Sequence, residues 1–310
     1  MLIAVPGRWD EGCFAVPAVR ALLASGVGVG VLCAAAQREF WETLAGLTVM
    51  AFPTDAKERA VAAEVKGKWQ AALVWEPGLA AEVCLRAKIP RRLGPNEKAL
   101  RGFLTHPMPL APAGRPLEHR VRHYLTVLET LGLETARAEF FAPVDLGVTR
   151  EPRSLLLAPD SDFGRSHEWP LERWAEVGQA LLTTGLKLTI AGQGGGDDLG
   201  EKLLSRLGGE LPYLKLEPLG GGLRRLAAHA VVVAADGSLP HLAAHVGAVC
   251  VTLFGPNDPV WKRPLGRCHA TVHRHVECAP CFLAKCPLDA RCQNELTVAR
   301  VLAAVREHSA

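Results

Sequence analysis

The sequence predicts an α/β protein in which two doubly wound, Rossmann-like units of similar size follow one another. Short runs that are apolar throughout alternate with segments of helical periodicity, which is the pattern of a parallel sheet covered on both faces. The alternation stops at FFAPVDLGVTREPRS, a stretch with prolines, glycine and no period, and starts again after it. The 310 residues suffice for two cores.

Taken in order, LIAVPG (2–7) reads as the first strand and VPAVRALLASG (16–26) as a helix ending on glycine. VGVGVLCA (27–34) is the next strand, a helix follows around Arg38 to Leu44, and TVMAFP and AALVWEP (71–77) continue the series. HRVRHYLTVLETLGL (119–133) is an amphipathic helix, and the unit boundary falls near Arg150, giving 1–150 and 151–310. The second half repeats the rhythm. SLLLAPD, LKLTIAGQ, AVVVAAD and AVCVTLFG are strands, with ERWAEVGQALLTTG and LRRLAAHA as helices among them. A final helix covers roughly Thr297 to Glu307. Ligands of such sheets bind outside the carboxyl ends of the strands, so a cleft between two units is the expected site.

Composition narrows the function classes. Hydrophobic residues make up 49% and charged residues 22%, as in a soluble globular protein. The net charge of +3 is too mild for a nucleic-acid binder and suits an acidic small molecule. No apolar run reaches the length of a membrane span, and MLIAVPGRWDEG lacks a basic segment and meets Trp9, Asp10 and Glu11 too early for a signal peptide. A cytoplasmic protein is expected, with Cys13, Cys33, Cys84 and Cys250 as small core residues. No GxGxxG follows the first strand and no GxxxxGK[ST] occurs, which argues against a dinucleotide enzyme or a P-loop NTPase.

The segment AADGSLPHLAAH (234–245) places an acid, a flexible residue and a hydroxyl at a strand-to-helix turn. Free backbone N–H groups and the helix dipole make such a turn an anion site, and Gly237 permits close approach. The plainer reading is an N-cap by Asp236 or Ser238. His241 and His245 share the spacing of a zinc pair but lack the adjacent Glu of HExxH. His241 either donates to a phosphate or is a satisfied core histidine; His245 is packing or surface. Two further polar loops follow strands: DSDFGRSHEWP, with Ser161, Arg165 and His167, and GQGGGDDLG, with Asp197 and Asp198. Acids at the latter place either meet ribose hydroxyls or start a solvated helix.

WPLERWAEV, the strand ending in AGQ, DGSLPHLAAHVGAVCVTLFGPNDP and CAPCFLAKCPLDARCQNELTVARVLAAV together resemble glycosyltransferase family 9, the lipopolysaccharide heptosyltransferases, with the nearer likeness to heptosyltransferase II. The likeness covers nearly the whole second half in order. In the first half it rests on LIAVPGRWDEGCFAVPAVRALLASG, where counting back from Pro17 puts Glu11 in the family's aspartate place and Asp10 in its glycine place. The resemblance implies a GT-B fold and an inverting, metal-independent transfer of heptose from ADP-heptose to a lipid-linked lipopolysaccharide acceptor at the inner face of the inner membrane. It implies Glu11 as general base, with Asp10 as substitute. It also implies a donor pocket in which Gly237, Ser238 and Leu239 offer backbone donors to the diphosphate and Asp236 and His241 belong to the same pocket. Ser161, Arg165 and His167 face it, Asp197 or Asp198 reaches the ribose, and the resemblance further implies that the final helix packs back on the first unit, as in other GT-B proteins.

The chain departs from the family pattern in several places. His167 and Glu168 stand where a Lys or Lys-Arg is usual, Gly-Ser replaces Ser/Thr-Gly after Asp236, and LGGGL precedes LRRLAAHA. The rival readings are a sugar-nucleotide-binding relative without transferase activity, a relative with a different donor sugar, and an epimerase of the same fold.

Cys278, Cys281, Cys286 and Cys292 form C-x2-C-x4-C-x5-C, which reads either as a structural zinc site or as reduced or locally disulfide-linked packing. His119, Arg120, Arg122 and His123 are the densest basic group of the first half. A phosphorylated acceptor would suit that charge, and a solvated helix face is the ordinary account of it.

Overall fold

The computed structural model describes residues 1–109, 117–193, 198–217 and 219–309. Two compact units divide between Ala142 and Pro143. The first begins β1 (Leu2–Ala4), α1 (Trp9–Ala24), β2 (Gly30–Ala34), α2 (Arg38–Glu42), β3 (Thr48–Phe52) and α3 (Glu58–Val65). It continues β4 (Ala71–Val74), α4 (Leu79–Arg86), β5 (Arg91–Pro95), β6 (His106–Met108) and α5 (Val121–Thr130). The second begins β7 (Glu151–Ala158), α6 (Leu171–Leu182), β8 (Lys187–Gly192), α7 (Leu199–Arg206), β9 (Tyr213–Lys215) and α8 (Leu223–Ala227). It ends β10 (His229–Ala235), α9 (Leu239–His245), β11 (Val249–Phe254), α10 (Pro259–Lys262), β12 (Ala270–His273), α11 (Arg291–Asn294) and α12 (Val298–His308).

Each unit carries a six-stranded sheet, ordered β3-β2-β1-β4-β5-β6 and β12-β11-β10-β7-β8-β9. Every pairing is parallel. The two orders are the same winding: the chain moves outward from the unit's first strand, then returns to that strand's other side. The doubly wound architecture expected from the sequence is thus present twice. Each sheet reverses direction once, between β1 and β4 in the first unit and between β7 and β10 in the second.

Burial explains why the central strands are apolar throughout. Leu2, Ile3, Leu73 and Val74 are wholly buried in the first sheet, as are Leu155, Leu156, Val232 and Val233 in the second. Each such side chain is worth about 1.5–3 kcal/mol relative to exposure. Cys13, Cys33, Cys84 and Cys250 lie in these cores as small apolar residues, and burial pushes the Cys33 and Cys84 thiols up to about 12.

Two boundaries differ from the sequence reading. Helix α1 starts at Trp9, well before Val16, and carries Pro17 inside it. Its buried face, including Phe14, Ala15, Ala18 and Val19, offsets the missing backbone bond, and Asp10 and Glu11 sit in its first turn, where the helix dipole favours acids. The segment from Pro143 to Arg150 belongs to the second unit, because the Val144 N–H donates to the His245 carbonyl (2.7 Å) and Arg224 donates to the Leu146 carbonyl (3.1 Å). Helix α12 buries Val301 and Val305 in the second unit's core, against α6, β11 and β12.

Helix α5 closes as its glycine predicted. Gly132 is left-handed (φ 79°), its N–H donates to the Glu129 carbonyl, and the Leu133 N–H reaches back to Leu128.

Gly94 in β5 shows how tightly the first sheet is built. A Cβ there would lie 2.1 Å from the Val74 carbonyl oxygen, a backbone atom that cannot swing away. Gly94→Ala should destabilise the first unit by at least ~3 kcal/mol, the upper end of overpacking costs. Chemical denaturation followed by the first unit's tryptophans, Trp9, Trp41, Trp69 and Trp75, would measure it.

Candidate functional site

At the β7/β10 edge of the second unit, the polar loop after β7 is tied to the turn after β10. The Ser161 hydroxyl donates to the Asp236 carbonyl (2.6 Å) and accepts from the Phe163 N–H (3.1 Å). The Asp162 carboxylate accepts from both the Ser238 N–H (2.7 Å) and the Ser238 hydroxyl (2.6 Å). A Cβ on Gly237 would come within 2.9 Å of that carboxylate, so glycine is the residue that lets loop and turn approach.

Neither Asp236 nor Ser238 caps α9, contrary to the plainer reading of DGSLPH; the acceptor comes from Asp162 across the strand ends. Asp162 thereby puts a carboxylate on donors of the turn expected to hold an anion. The Asp236 side chain points inward with no exposure, and its Oδ2 pairs with His167 Nδ1 (3.0 Å) and accepts from Asn257 Nδ2 (2.7 Å). Burial raises the Asp236 carboxyl, while His167, Asn257 and the Lys262 charge oppose that shift. Lys262 is itself buried, with its ammonium 4.7 Å from the Phe163 ring centroid and 5.1 Å from that of Trp261.

Of the residues expected on the donor side, Ser161, His167, Asp236, Gly237 and Ser238 are therefore brought together. Leu239 and His241 are buried in α9, and Arg165 is exposed at the start of the single turn that delivers His167. Asp198 stands at the start of α7. It caps α7 by accepting from the Glu201 N–H (2.9 Å) and also accepts from the Tyr213 hydroxyl (2.7 Å). Asp160 accepts from the Leu199 and Gly200 N–H groups of the same helix start, and burial pushes its carboxyl up to about 6. Asp197 lies outside the described residues.

The β1/β4 edge of the first unit gathers a second cluster. The Gly7 N–H, just past β1, donates to Glu76 Oε1 (2.7 Å), just past β4. Asp10 is fully buried and held on both oxygens by Arg8 (3.0 and 3.1 Å). Glu11 accepts from Arg120 Nε at both oxygens (3.1 and 2.9 Å) and from the Tyr124 hydroxyl at Oε2 (2.5 Å). Burial and the Glu11 charge drive the Tyr124 hydroxyl far above its usual range. Burial, then the Arg120 charge, lowers His123 to about 4, so its imidazole is neutral at pH 7. Burial and the Glu11 charge raise the Glu76 carboxyl against the opposing Gly7 N–H.

Glu76, Tyr124, Asp162 and Asn257 were not singled out in the sequence, and Arg120 and His123 entered only as a basic group. Glu76 did carry a signal, since it ends the apolar run AALVWEP at the ligand-facing end of a parallel strand. Arg120 and Tyr124 carried none, because they meet Glu11 across more than a hundred residues.

The zinc reading of the cysteine loop does not survive. Cys278 is exposed, Cys281 and Cys286 are half-buried, Cys292 is buried, and all four are free thiols. Among the described residues no three His, Cys, Asp or Glu side chains are grouped to hold a metal ion. The Cys292 thiol is pushed up by burial and by the charges of Cys281, Cys278 and Cys286. Among the described residues no helix is long and apolar enough to cross a membrane.

Comparison with known proteins follows this geometry. Residues 127–291 match the sequence model of "Glycosyltransferase family 9 (heptosyltransferase)". The lipooligosaccharide heptosyltransferase 2 of Haemophilus influenzae is 28% identical over 124 residues, 38% of this chain and 36% of that protein. The lipopolysaccharide heptosyltransferase 2 of Salmonella typhimurium is 25% identical over 202 residues, 58% of this chain and 57% of that one. The chain thus spans about a third to somewhat over half of the length of these relatives. The structure of E. coli ADP-heptose lps heptosyltransferase II superposes with a TM-score of 0.80 at 19% identity, covering 99% of this chain and 98% of that one. An E. coli heptosyltransferase solved with ADP-2-deoxy-2-fluoro heptose superposes at 0.74 and 18%, covering 99% and 98%. The fold is accordingly that of these GT-B enzymes.

Two expectations follow from the first cluster. Glu11→Leu leaves Arg120, 26% exposed, without its counter-charge and the buried Tyr124 hydroxyl without its acceptor. It should cost ~3 kcal/mol, and adding Arg120→Met should recover part of that loss in a double-mutant cycle by chemical denaturation. His123 takes its proton near 6.5 when unfolded and near 4 when folded, so the unfolded chain binds more protons in between. Its contribution is complete above pH 6.5 and lost as pH falls towards 4, by roughly 3 kcal/mol. Denaturation curves of His123→Gln should be flatter over that window.

Proposed function

The chain belongs to glycosyltransferase family 9, and on that premise we propose that it is an inverting transferase that moves heptose from ADP-heptose to a lipopolysaccharide inner-core acceptor. The observation that carries this reading is the tie between the DSDFGRSH loop and the DGSLPH turn at the β7/β10 edge, which lies inside the region matching the family. Chemically, the acceptor hydroxyl oxygen attacks the anomeric carbon opposite the diphosphate, the bond to the diphosphate breaks, and configuration inverts. The second unit supplies the donor pocket. Gly237, Ser238 and Leu239 lie against the diphosphate, with Ser161 and Arg165 on the facing loop. His167, Asp236, Asn257 and His241, all four buried, hold that pocket from behind.

A diphosphate there displaces Asp162 from the Ser238 donors, so donor affinity is set against an internal carboxylate. The first unit supplies the carboxylate that takes the hydroxyl proton; Glu11 and Asp10 are those the family pattern indicates. Departure of the diphosphate is assisted by fixed donors and helix charge, with no divalent ion in the step. The acceptor is lipid-linked, so the chain works at the inner face of the inner membrane.

Asp162 also favours a second reading, a relative that binds sugar nucleotides weakly and transfers nothing. A thermal-shift panel of ADP, UDP, GDP and CDP, followed by a transfer assay with ADP-heptose in EDTA, separates the two. A ligand at a hundred times its dissociation constant stabilises by about 2.7 kcal/mol. The transferase reading expects that shift from ADP alone and heptose incorporation into core acceptor. A shift with another base replaces the donor, and a shift with ADP but no incorporation selects the binding protein.

A further inference from the structure

We propose that Lys262 is a donor-binding residue whose ammonium contacts the diphosphate of the nucleotide sugar in the pocket of the second unit. This assignment rests on the transferase reading above and names the cation of its donor pocket.

The first argument is the orientation of α10. On this short helix Val260 is 50% exposed while Lys262 is 4% exposed. Hydrophobic burial favours the reverse, since lysine is among the residues least often buried. The helix is fixed at its start by Asp258. Its carboxylate accepts from the Val260 N–H (2.7 Å) and its carbonyl from the Lys262 N–H (3.0 Å). Among the described residues Lys262 is the one lysine or arginine that is buried. Desolvating an ammonium is costly, so the fold keeps this one inside against the ordinary preference.

The second argument is where the ammonium lies. It stands 4.7 Å from the Phe163 ring centroid and 5.1 Å from that of Trp261. Phe163 follows Asp162, whose carboxylate holds the Ser238 N–H and hydroxyl. The same ring meets the His167 imidazole edge-on, with centroids 5.5 Å apart. The ammonium is therefore beside the loop that closes the DGSLPH turn. Its charge reaches the Asp236 carboxyl through space, although Asp236 takes its hydrogen bonds from His167 and Asn257.

The third argument is charge balance. A nucleoside diphosphate brings several negative charges to a place that already holds Asp162 and Asp236. Backbone N–H groups answer with partial charge only, and Lys262 supplies a full one from within the second unit. A compact ammonium on a flexible stem suits phosphate oxygens. When the diphosphate takes the Ser238 donors, Asp162 leaves them and Phe163 moves with its neighbour. The ammonium then exchanges a ring face for phosphate oxygens. Asp162 and the diphosphate are alternative anions for the same donors, and Lys262 favours the one with more charge.

The test uses the full chain and its Lys262→Met, Lys262→Gln and Lys262→Arg variants, with ADP and adenosine affinities by calorimetry. Methionine keeps an unbranched stem and a favourable contact with both rings. In Lys262→Met the ADP affinity should fall roughly 10- to 150-fold, the worth of one charge-assisted hydrogen bond. Adenosine affinity should stay within threefold. Lys262→Gln gives the same reading where Lys262→Met is unstable, and Lys262→Arg, which keeps the charge, should lose less. Added salt should weaken ADP binding more steeply in the parent than in Lys262→Met. A Lys262→Met or Lys262→Gln chain that binds ADP within threefold of the parent overturns the assignment and leaves the transferase reading standing. Equal losses of ADP and adenosine do the same, because they mark a structural lysine. A parent that prefers another nucleoside diphosphate overturns the ADP-heptose donor, and the same comparison with that nucleotide and its nucleoside decides Lys262. A parent that binds no nucleoside diphosphate overturns both.

Discussion

Parallel strand pairing is the constraint from which the rest follows. A parallel pair cannot be closed by a tight turn; each connection must run back over a face of the sheet, usually as a helix. In both units this covers the two faces, makes the central strands apolar throughout, and brings all strand carboxyl ends to one edge. Because each sheet winds first one way from its opening strand and then the other, that edge opens at one place only. Glu76 and Gly7 meet there in the first unit, and Ser161, Asp162, Asp236 and Ser238 in the second.

The two edges solve the same local problem alike. Backbone N–H groups beyond a parallel strand or at a helix start have no partner in the ladder, and an unpaired donor near a protein interior is costly. Carboxylates supply the acceptors: Glu76 for Gly7, Asp162 for Ser238, and Asp160 for Leu199 and Gly200. The arrangement that attracts an anion is thus partly satisfied from within, and a ligand must do better than the resident carboxylate. Behind these surface acids each unit keeps a buried ionic group, Glu11 with Arg120 and Asp236 with His167 and Asn257. Such groups add little net stability, since desolvation offsets their attraction, but breaking one partner is expensive. They therefore hold loop geometry more firmly than they hold the fold.

Much of the fold was legible because its signals are local. The all-apolar runs from Leu2, Leu155, Val231 and Val249 could be nothing but buried strands, and Gly132 marked the end of α5. Short edge strands such as His106–Met108 and Tyr213–Lys215 were not, because three residues establish no period. Helix α1 starts at Trp9, ahead of the Val16 read from the sequence, and the burial of the helix explains why Pro17 is tolerated inside it. The cysteine spacing left two readings open, a ligand set or packing, and among the described residues the four thiols are free and form no metal-holding group.

By itself, then, the sequence determined the two doubly wound units, their cores, and the turn DGSLPH as a place of consequence, because periodicity and turn chemistry act over neighbouring residues. Tertiary structure alone decided which charged groups meet. Glu11 finds Arg120 and Tyr124, Asp236 finds His167 and Asn257, Asp198 turns to capping a helix, and Glu76 is set across the strand ends. The reason is that Coulomb and hydrogen-bond energies depend on distance in space and on burial, and neither quantity is written along the chain.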